Sequence, residues 1–202
     1  MAFIDDVLDE CISLVDRYAN ARILPKKRGG AWDLLSYLED LDLAFPPGIY
    51  APCNLKKGRY VCIDGLLIAG ENVCLRDYAY IRGPVILGDR VQLSAEVKGS
   101  IILSDSFAVH RSIYIGDSII GRRCNIGAGS QFANLRFDEE QVKVCVEGVY
   151  CDSGRQKLGA IVEHDCKFGV NSSIKPGAYV ARGTRWVGSK PLYECSSEKI
   201  IS

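Results

Sequence analysis

Small and aliphatic residues recur along the middle of the chain with a period of six. Blocks beginning at Ile63, Ala69, Leu75, Ile81, Leu87 and Leu93 carry Leu67, Val73, Ala79, Val85, Val91 and Val97 at their fifth positions. Inward positions separated by four and then two residues match neither the 3.6-residue period of an amphipathic helix nor the strict alternation of a half-buried strand. They match a parallel β-helix of hexapeptide repeats, in which each block forms one flat face of a triangular prism and each turn buries its apolar residues by stacking on the next. The period falters near Gly99 and resumes through Ile102–Phe107, Ala108–Ile113, Ile120–Asn125 and Ile126–Gln131. It disappears from Leu135 to Lys157 and returns at Val162, Phe168, Ile174, Val180 and Trp186. Cys124 and Cys166 fall on inward fifth positions and read as core. Inside the gap, residues alternate on either side of Glu147-Gly148, from Val142 to Val146 and from Val149 to Cys151, which predicts a protruding hairpin. Residues 135–157 are therefore expected to form an extruded loop.

Helical spacing dominates the start of the chain instead. Ile4, Val7, Leu8, Cys11, Leu14, Val15 and Tyr18 mark one apolar stripe, and Ala31, Leu34, Leu35, Leu38 and Leu41 a second, shorter one that Pro46-Pro47-Gly48 ends. Neither helix can bury its stripe alone, so this N-terminal helical cap is expected to dock on the prism or on a partner chain. The domain reading is a helical appendage over 1–48, the β-helix over 49–190, and a frayed tail over 191–202.

Composition narrows the classes of function. Lys+Arg and Asp+Glu are equal at 25 each, so no overall field attracts nucleic acid or anionic lipid. No apolar run approaches the ~18 residues of a spanning helix. The acidic opening Met1-Ala-Phe-Ile-Asp-Asp lacks the features of a signal peptide, and nine scattered cysteines without a CxxC spacing do not form a disulfide framework. A cytoplasmic protein is expected.

Glu96-Val-Lys98-Gly-Ser-Ile-Ile, His110, Tyr114-Ile-Gly-Asp and Asn125-Ile-Gly-Ala-Gly follow one another in this order, with Ala133-Asn134-Leu-Arg-Phe-Asp and Ser153-Gly-Arg155-Gln-Lys157-Leu-Gly-Ala after them. This ordered set resembles the acetyltransferase half of the bifunctional glucosamine-1-phosphate N-acetyltransferase/UDP-N-acetylglucosamine pyrophosphorylase family, and most closely its archaeal-type sugar-phosphate nucleotidylyltransferase relatives. It covers roughly residues 75 to 185. The left hand of the helix is implied by the resemblance, because parallel crossovers are otherwise overwhelmingly right-handed. So are a homotrimer, acetyl-CoA as co-substrate and a hexosamine 1-phosphate as acceptor. The family's nucleotidyltransferase domain has no counterpart in these residues beyond a faint likeness of Ala31-Trp-Asp-Leu-Leu to its last helix, so a separate nucleotidyltransferase is a possible partner.

By the same resemblance, His110 is the general base, Arg82 and Lys98 hold phosphate, Tyr114 and Asn125 hydrogen-bond the sugar, and Asn134 lies near the acetyl group. Ala128 matches a position whose backbone meets the acyl group, while Val170 and Arg182 stand where the family often carries smaller groups on the coenzyme A side. Read from the residues alone, His110 is a surface or stacking histidine, Arg82 and Lys98 are two solvated charges, and Asn125 suits a tight corner. The extruded loop is expected to bring Arg155 or Lys157 to the phosphate or the coenzyme of an adjacent subunit, or to be an idle insertion. A zinc-dependent hexapeptide enzyme needs three histidines per site, and this chain has two. The competing reading is a non-catalytic member that binds sugar phosphates or serves as a scaffold.

Overall fold

The computed structural model of the chain describes residues 6, 9–13, 31–146, 148–187 and 200–201. Three parallel sheets of seven, eight and six strands are wound around one another as a left-handed β-helix. Sheet 1 runs from Gly48–Tyr50 to Tyr179–Val180, sheet 2 from Lys56–Lys57 to Arg185–Trp186 and Ile200–Ile201, and sheet 3 from Cys62–Asp64 to Ser173–Ile174. Leu67 lies opposite Val85, and Ile101 opposite Ile119, each eighteen residues on, so one turn is three hexapeptides. The faltering near Gly99 is a shortened turn, with Tyr80 opposite Glu96 and Leu93 opposite Ala108.

Both inward columns meet in one stacked core. Leu67, Val73, Ala79, Val85, Val91 and Val97 are fully buried beside Leu75, Ile81, Leu87 and Leu93, and Cys124 and Cys166 belong to the same column. Phe132 and Phe168 close it edge to face, their ring centroids 5.2 Å apart. Corners need left-handed backbone. At the edge between sheets 1 and 2 it is supplied by Asn72, Arg90, Asp105, Arg123, Asp165 and Gly183, and at the edge between sheets 2 and 3 by Tyr60, Tyr78, Ser112, Gly129 and Asn171.

A second apolar layer lies outside the prism. Leu66, Ile68, Ile86, Ile101, Ile119 and Ile161 point outward from sheet 1 yet are buried, because helix α1 (Asp33–Ala44) lays Leu34, Leu35, Tyr37, Leu38 and Leu41 over them. Each aliphatic side chain so buried contributes about 1.5–3 kcal/mol. The second predicted helix thus docks on the prism of its own chain. Most of the first lies outside the described residues, but residue 6 and residues 9–13 are helical and reach the edge between sheets 1 and 2. There Glu10 accepts from the Ser104 N–H at 2.8 Å and pairs with Arg122 at 2.5 Å.

The predicted hairpin is present, Lys143–Val146 pairing antiparallel with Val149–Asp152 across a turn at Gly148. A Leu135 to Lys157 bridge pinches the loop at its base. Val142, Val144 and Leu158 turn inward onto the α1 layer, so the extruded loop and the helix together roof sheet 1.

Candidate functional site

Among the described residues, roofing sheet 1 leaves the outer faces of sheets 2 and 3 and the edge between them open. On sheet 3, strand register puts Tyr80, Glu96, Tyr114 and Gln131 in one outward ladder, with Arg82 beside Lys98 in the next. Arg82 donates to Glu96 Oε1 at 2.9 Å, and its guanidinium lies 5.8 Å from the Tyr80 ring centroid. Lys98 Nζ stands 3.7 Å from Asp117 Oδ2, which also accepts from the Asn134 amide. The Tyr114 hydroxyl reaches the same place. A Cβ on Gly116 would stand 2.5 Å from that hydroxyl oxygen and 2.9 Å from Asn134 Cγ, so the missing side chain lets Tyr114 lie across its own strand. Desolvation pushes the Tyr114 phenol above its ordinary range, with the charges of Asp117 and Glu96 adding to the effect, while Arg82 and Asn134 oppose it. Arg82, Lys98, Tyr114 and Asn134 therefore form one patch, and Glu96 and Asp117 neutralise its cations from within.

His110 occupies the neighbouring edge. Seven residues separate Phe107 on sheet 2 from Tyr114 on sheet 3, one more than separate Asn125 from Gln131 in the next turn, and the extra residue is accommodated at the corner that carries His110. The imidazole is exposed in a groove of about 710 Å³ whose lining includes Lys56, Lys57, Arg76 and Arg111. A hollow of about 440 Å³, lined by Tyr80, Glu96, Tyr114 and Gln131, adjoins it on the sheet 3 side. Ser94 and Arg111 belong to both, so His110 and Tyr114 flank one continuous depression.

Ala128 and Val170 lie farther along the same edge, where the Ala128 carbonyl accepts from the Asn171 N–H at 2.7 Å and Val170 is 63% exposed. Gly127 and Gly129 are required by the coil itself. A Cβ on the first would meet the Gly169 backbone at 2.7 Å, and the second has φ +73. Asn125 is exposed on sheet 2, between Phe107 and Lys167.

Arg182, Arg155 and Lys157 are not brought to this place. Arg182 sits at the edge between sheets 1 and 2, donating to Asp165 at 3.0 Å and, through its backbone N–H, to Glu163 at 2.8 Å. Arg155 folds back to Ser36 and Glu39 on α1, and Lys157 pairs with Leu135 at the base of the loop. His164, the second histidine, is buried. Its Nδ1 accepts from the Arg122 N–H at 2.9 Å, which puts the ring proton on Nε2, 3.3 Å from Asp6 Oδ2. Among the described residues no cluster of His, Cys, Asp or Glu is arranged to hold a metal, and no helix is long and apolar enough to cross a membrane.

Glu96, Asp117 and the cations Lys56, Lys57, Arg76 and Arg111 carried no role in the sequence reading. Their signal is the turn length, which stacks residues sixteen to eighteen apart and so sets Glu96 and Lys98 beside Tyr80 and Arg82.

No family model matches the chain. A bifunctional sugar-1-phosphate nucleotidylyltransferase/acetyltransferase of Sulfurisphaera tokodaii is 38% identical over 65% of this chain and 33% of its own length. The bifunctional protein GlmU of Methanococcus aeolicus is 34% identical over 85% of this chain and 45% of its own length, and that of Methanocaldococcus jannaschii 42% identical over 57% and 28%. The chain is homologous to the C-terminal part of these bifunctional proteins. It spans less than half the length of each. An acetyltransferase domain of PglB from Neisseria gonorrhoeae aligns over 74% of the chain at 11% identity and a TM-score of 0.21.

Proposed function

We propose that the chain is an N-acetyltransferase that transfers the acetyl group of acetyl-CoA to the amine of a hexosamine 1-phosphate. The observation that carries this reading is the gathering of Arg82, Lys98, Tyr114 and Asn134 in one outward patch, from which Tyr114 also lines a hollow that adjoins the groove of His110. Each demand of the chemistry has a candidate there. Arg82 offers phosphate oxygens a planar fork and Lys98 a point charge, once Glu96 and Asp117 give up their hold. Tyr114 and Asn134 present hydroxyl and amide groups to the sugar. Acetyl-CoA, lying along Ala128 and Val170, supplies the activated acyl group as a thioester. His110 takes the proton from the amine as its nitrogen forms the new C–N bond, and returns it to the sulfur that leaves when the C–S bond breaks.

A homotrimer fits the exposed surfaces. With sheet 1 roofed, sheets 2 and 3 remain for a neighbouring prism to wall the cleft, and a ring of identical heterologous contacts can close at three. A cytoplasmic location is part of the same proposal.

Release of free thiol from acetyl-CoA, followed with glucosamine 1-phosphate and galactosamine 1-phosphate in turn, tests the reading. Turnover with either supports it. Rates no faster than in buffer overturn it for those acceptors, and calorimetric binding of the same sugars without turnover would make the chain a sugar-phosphate-binding member instead.

A further inference from the structure

The edge between sheets 2 and 3 carries, on the N-terminal side of His110, a pair of residues that the proposed transfer leaves without a role. Tyr60 and Tyr78 occupy the left-handed corner position in successive turns, at φ +58 and +66, where later turns place Ser112, Gly129 and Asn171. Glycine and asparagine adopt that backbone at less cost than a bulky aromatic residue, so two tyrosines here go against the local preference of the fold. Nor does burial explain them, for they are 72% and 51% exposed. Their rings stack, centroids 5.1 Å apart and planes 24° from parallel, and the Arg111 guanidinium covers Tyr78 at 4.3 Å from its centroid. Three planar groups thus form one surface stack.

Beside the stack lies the groove that also holds His110, and its lining charges are unequal. Lys56, Lys57, Arg76 and Arg111 face a single carboxylate, Asp77, which already accepts from the Arg59 backbone N–H at 2.8 Å and meets the Arg59 guanidinium at 3.4 Å. Arg76 is bonded to neutral Gln92 at 2.9 Å, and among the described residues none of the four cations pairs with a carboxylate. This differs from the sheet 3 patch, where Arg82 and Lys98 are each matched by an acid. Planar stacking surfaces suit a nucleobase, and unmatched cations suit adjacent phosphates.

We infer that the Tyr60–Tyr78–Arg111 stack and the Lys56, Lys57 and Arg76 groove form a nucleotide subsite that takes a nucleoside diphosphate, the base against the stack and the phosphates against the cations. It uses other cations than the Arg82 and Lys98 patch, and its test does not depend on acetyl transfer. Two sources carry such a group: the nucleotide end of a nucleotide sugar, and the nucleotide end of the coenzyme.

Calorimetry on the intact chain tests the subsite with UDP, ADP, 3′-phosphoadenosine 5′-diphosphate and ribose 5-phosphate. UDP or ADP should bind more tightly than ribose 5-phosphate. Tyr60→Asn and Tyr78→Asn, which place a residue suited to positive φ at each corner, should weaken that binding about tenfold without lowering the melting temperature. Lys57→Ala should weaken all four phosphate ligands. UDP as the tighter ligand assigns the subsite to a nucleotide sugar, and the 3′-phosphorylated ligand as the tighter one assigns it to the coenzyme. Binding no stronger than that of ribose 5-phosphate, or affinities unchanged in both folded tyrosine variants, overturns the inference. None of these readings requires turnover, so a chain inactive on hexosamine 1-phosphates still decides it.

Discussion

Arg155 in the extruded loop forms an ion pair with Glu39 on α1 of the same chain and adds a 3.1 Å hydrogen bond to Ser36. The contact turns the loop onto the roof of sheet 1. The ion pair itself adds little, since the Glu39 side chain is 60% exposed and such pairs are worth about 0–1 kcal/mol. Val144 is fully buried in the same layer. Glu39→Gln should therefore shift the urea midpoint slightly, whereas Val144→Ala should cost about 1–3 kcal/mol. Removing residues 136–153 should lower the melting temperature, because the deletion takes Val142 and Val144 from the roof. A larger loss in Glu39→Gln than in Val144→Ala would show that charge, rather than burial, holds the loop.

The six-residue period made the inward columns legible because every turn repeats the same two demands, and the buried residues from Leu67 to Val97 follow it throughout. It was silent on the outward side of sheet 1. Ile68, Ile86, Ile101, Ile119 and Ile161 recur once per turn rather than once per block, and only that slower period marks one face of three as covered. For the same reason the docking target of α1 stayed open between prism and partner. Motif order drew attention to Arg82, Lys98, His110 and Tyr114. Stacking across turns is what adds Glu96 and Asp117, and it also puts Arg182 and Asn125 elsewhere than the patch.

Gly116 offers a local test of the sheet 3 patch. Gly116→Ala would put a methyl group against the Tyr114 hydroxyl and the Asn134 amide, the ends of side chains that can move aside, so the coil should fold. Displaced from their present positions, the two groups should then hold the sugar less well. Calorimetry with glucosamine 1-phosphate should show weaker binding at a melting temperature within a few degrees of the parent. Unchanged affinity would remove Tyr114 and Asn134 from the binding site.

Acid should loosen the edge between sheets 1 and 2. The Asp165 carboxyl is held below the usual range, first by its hydrogen bond with Arg123 and then by that with Arg182, and Arg90 does the same for Asp105. A carboxyl whose pKa falls on folding is protonated more readily in the unfolded chain. Its stabilisation is therefore complete above the unfolded value of about 3.9 and is lost as pH falls through the folded one. Melting profiles between neutral pH and about pH 2.5 should show Asp165→Asn less stable than the parent at pH 7, the two curves converging in acid. Parallel curves throughout would mean that Asp165 does not titrate with folding.

His110 and Arg82 should fail in different ways. His110 is exposed at a corner, outside the stacked core, so His110→Ala should keep the fold while lowering kcat by about 10²–10⁴-fold, the range for a positioned general base. Arg82 lies on sheet 3, bonded to Glu96, and its proposed contact is with a phosphate that does not react. If that contact is equally good in ground and transition states, Arg82→Ala should raise KM more than it lowers kcat. Glu96→Gln then separates the two further. Releasing Arg82 from its internal partner should lower KM for the sugar phosphate while leaving kcat close to that of the parent. Steady-state kinetics on the three variants decides the matter: a His110→Ala enzyme with parental kcat removes the base from the mechanism, and a KM unchanged in both Arg82→Ala and Glu96→Gln removes the phosphate from the patch.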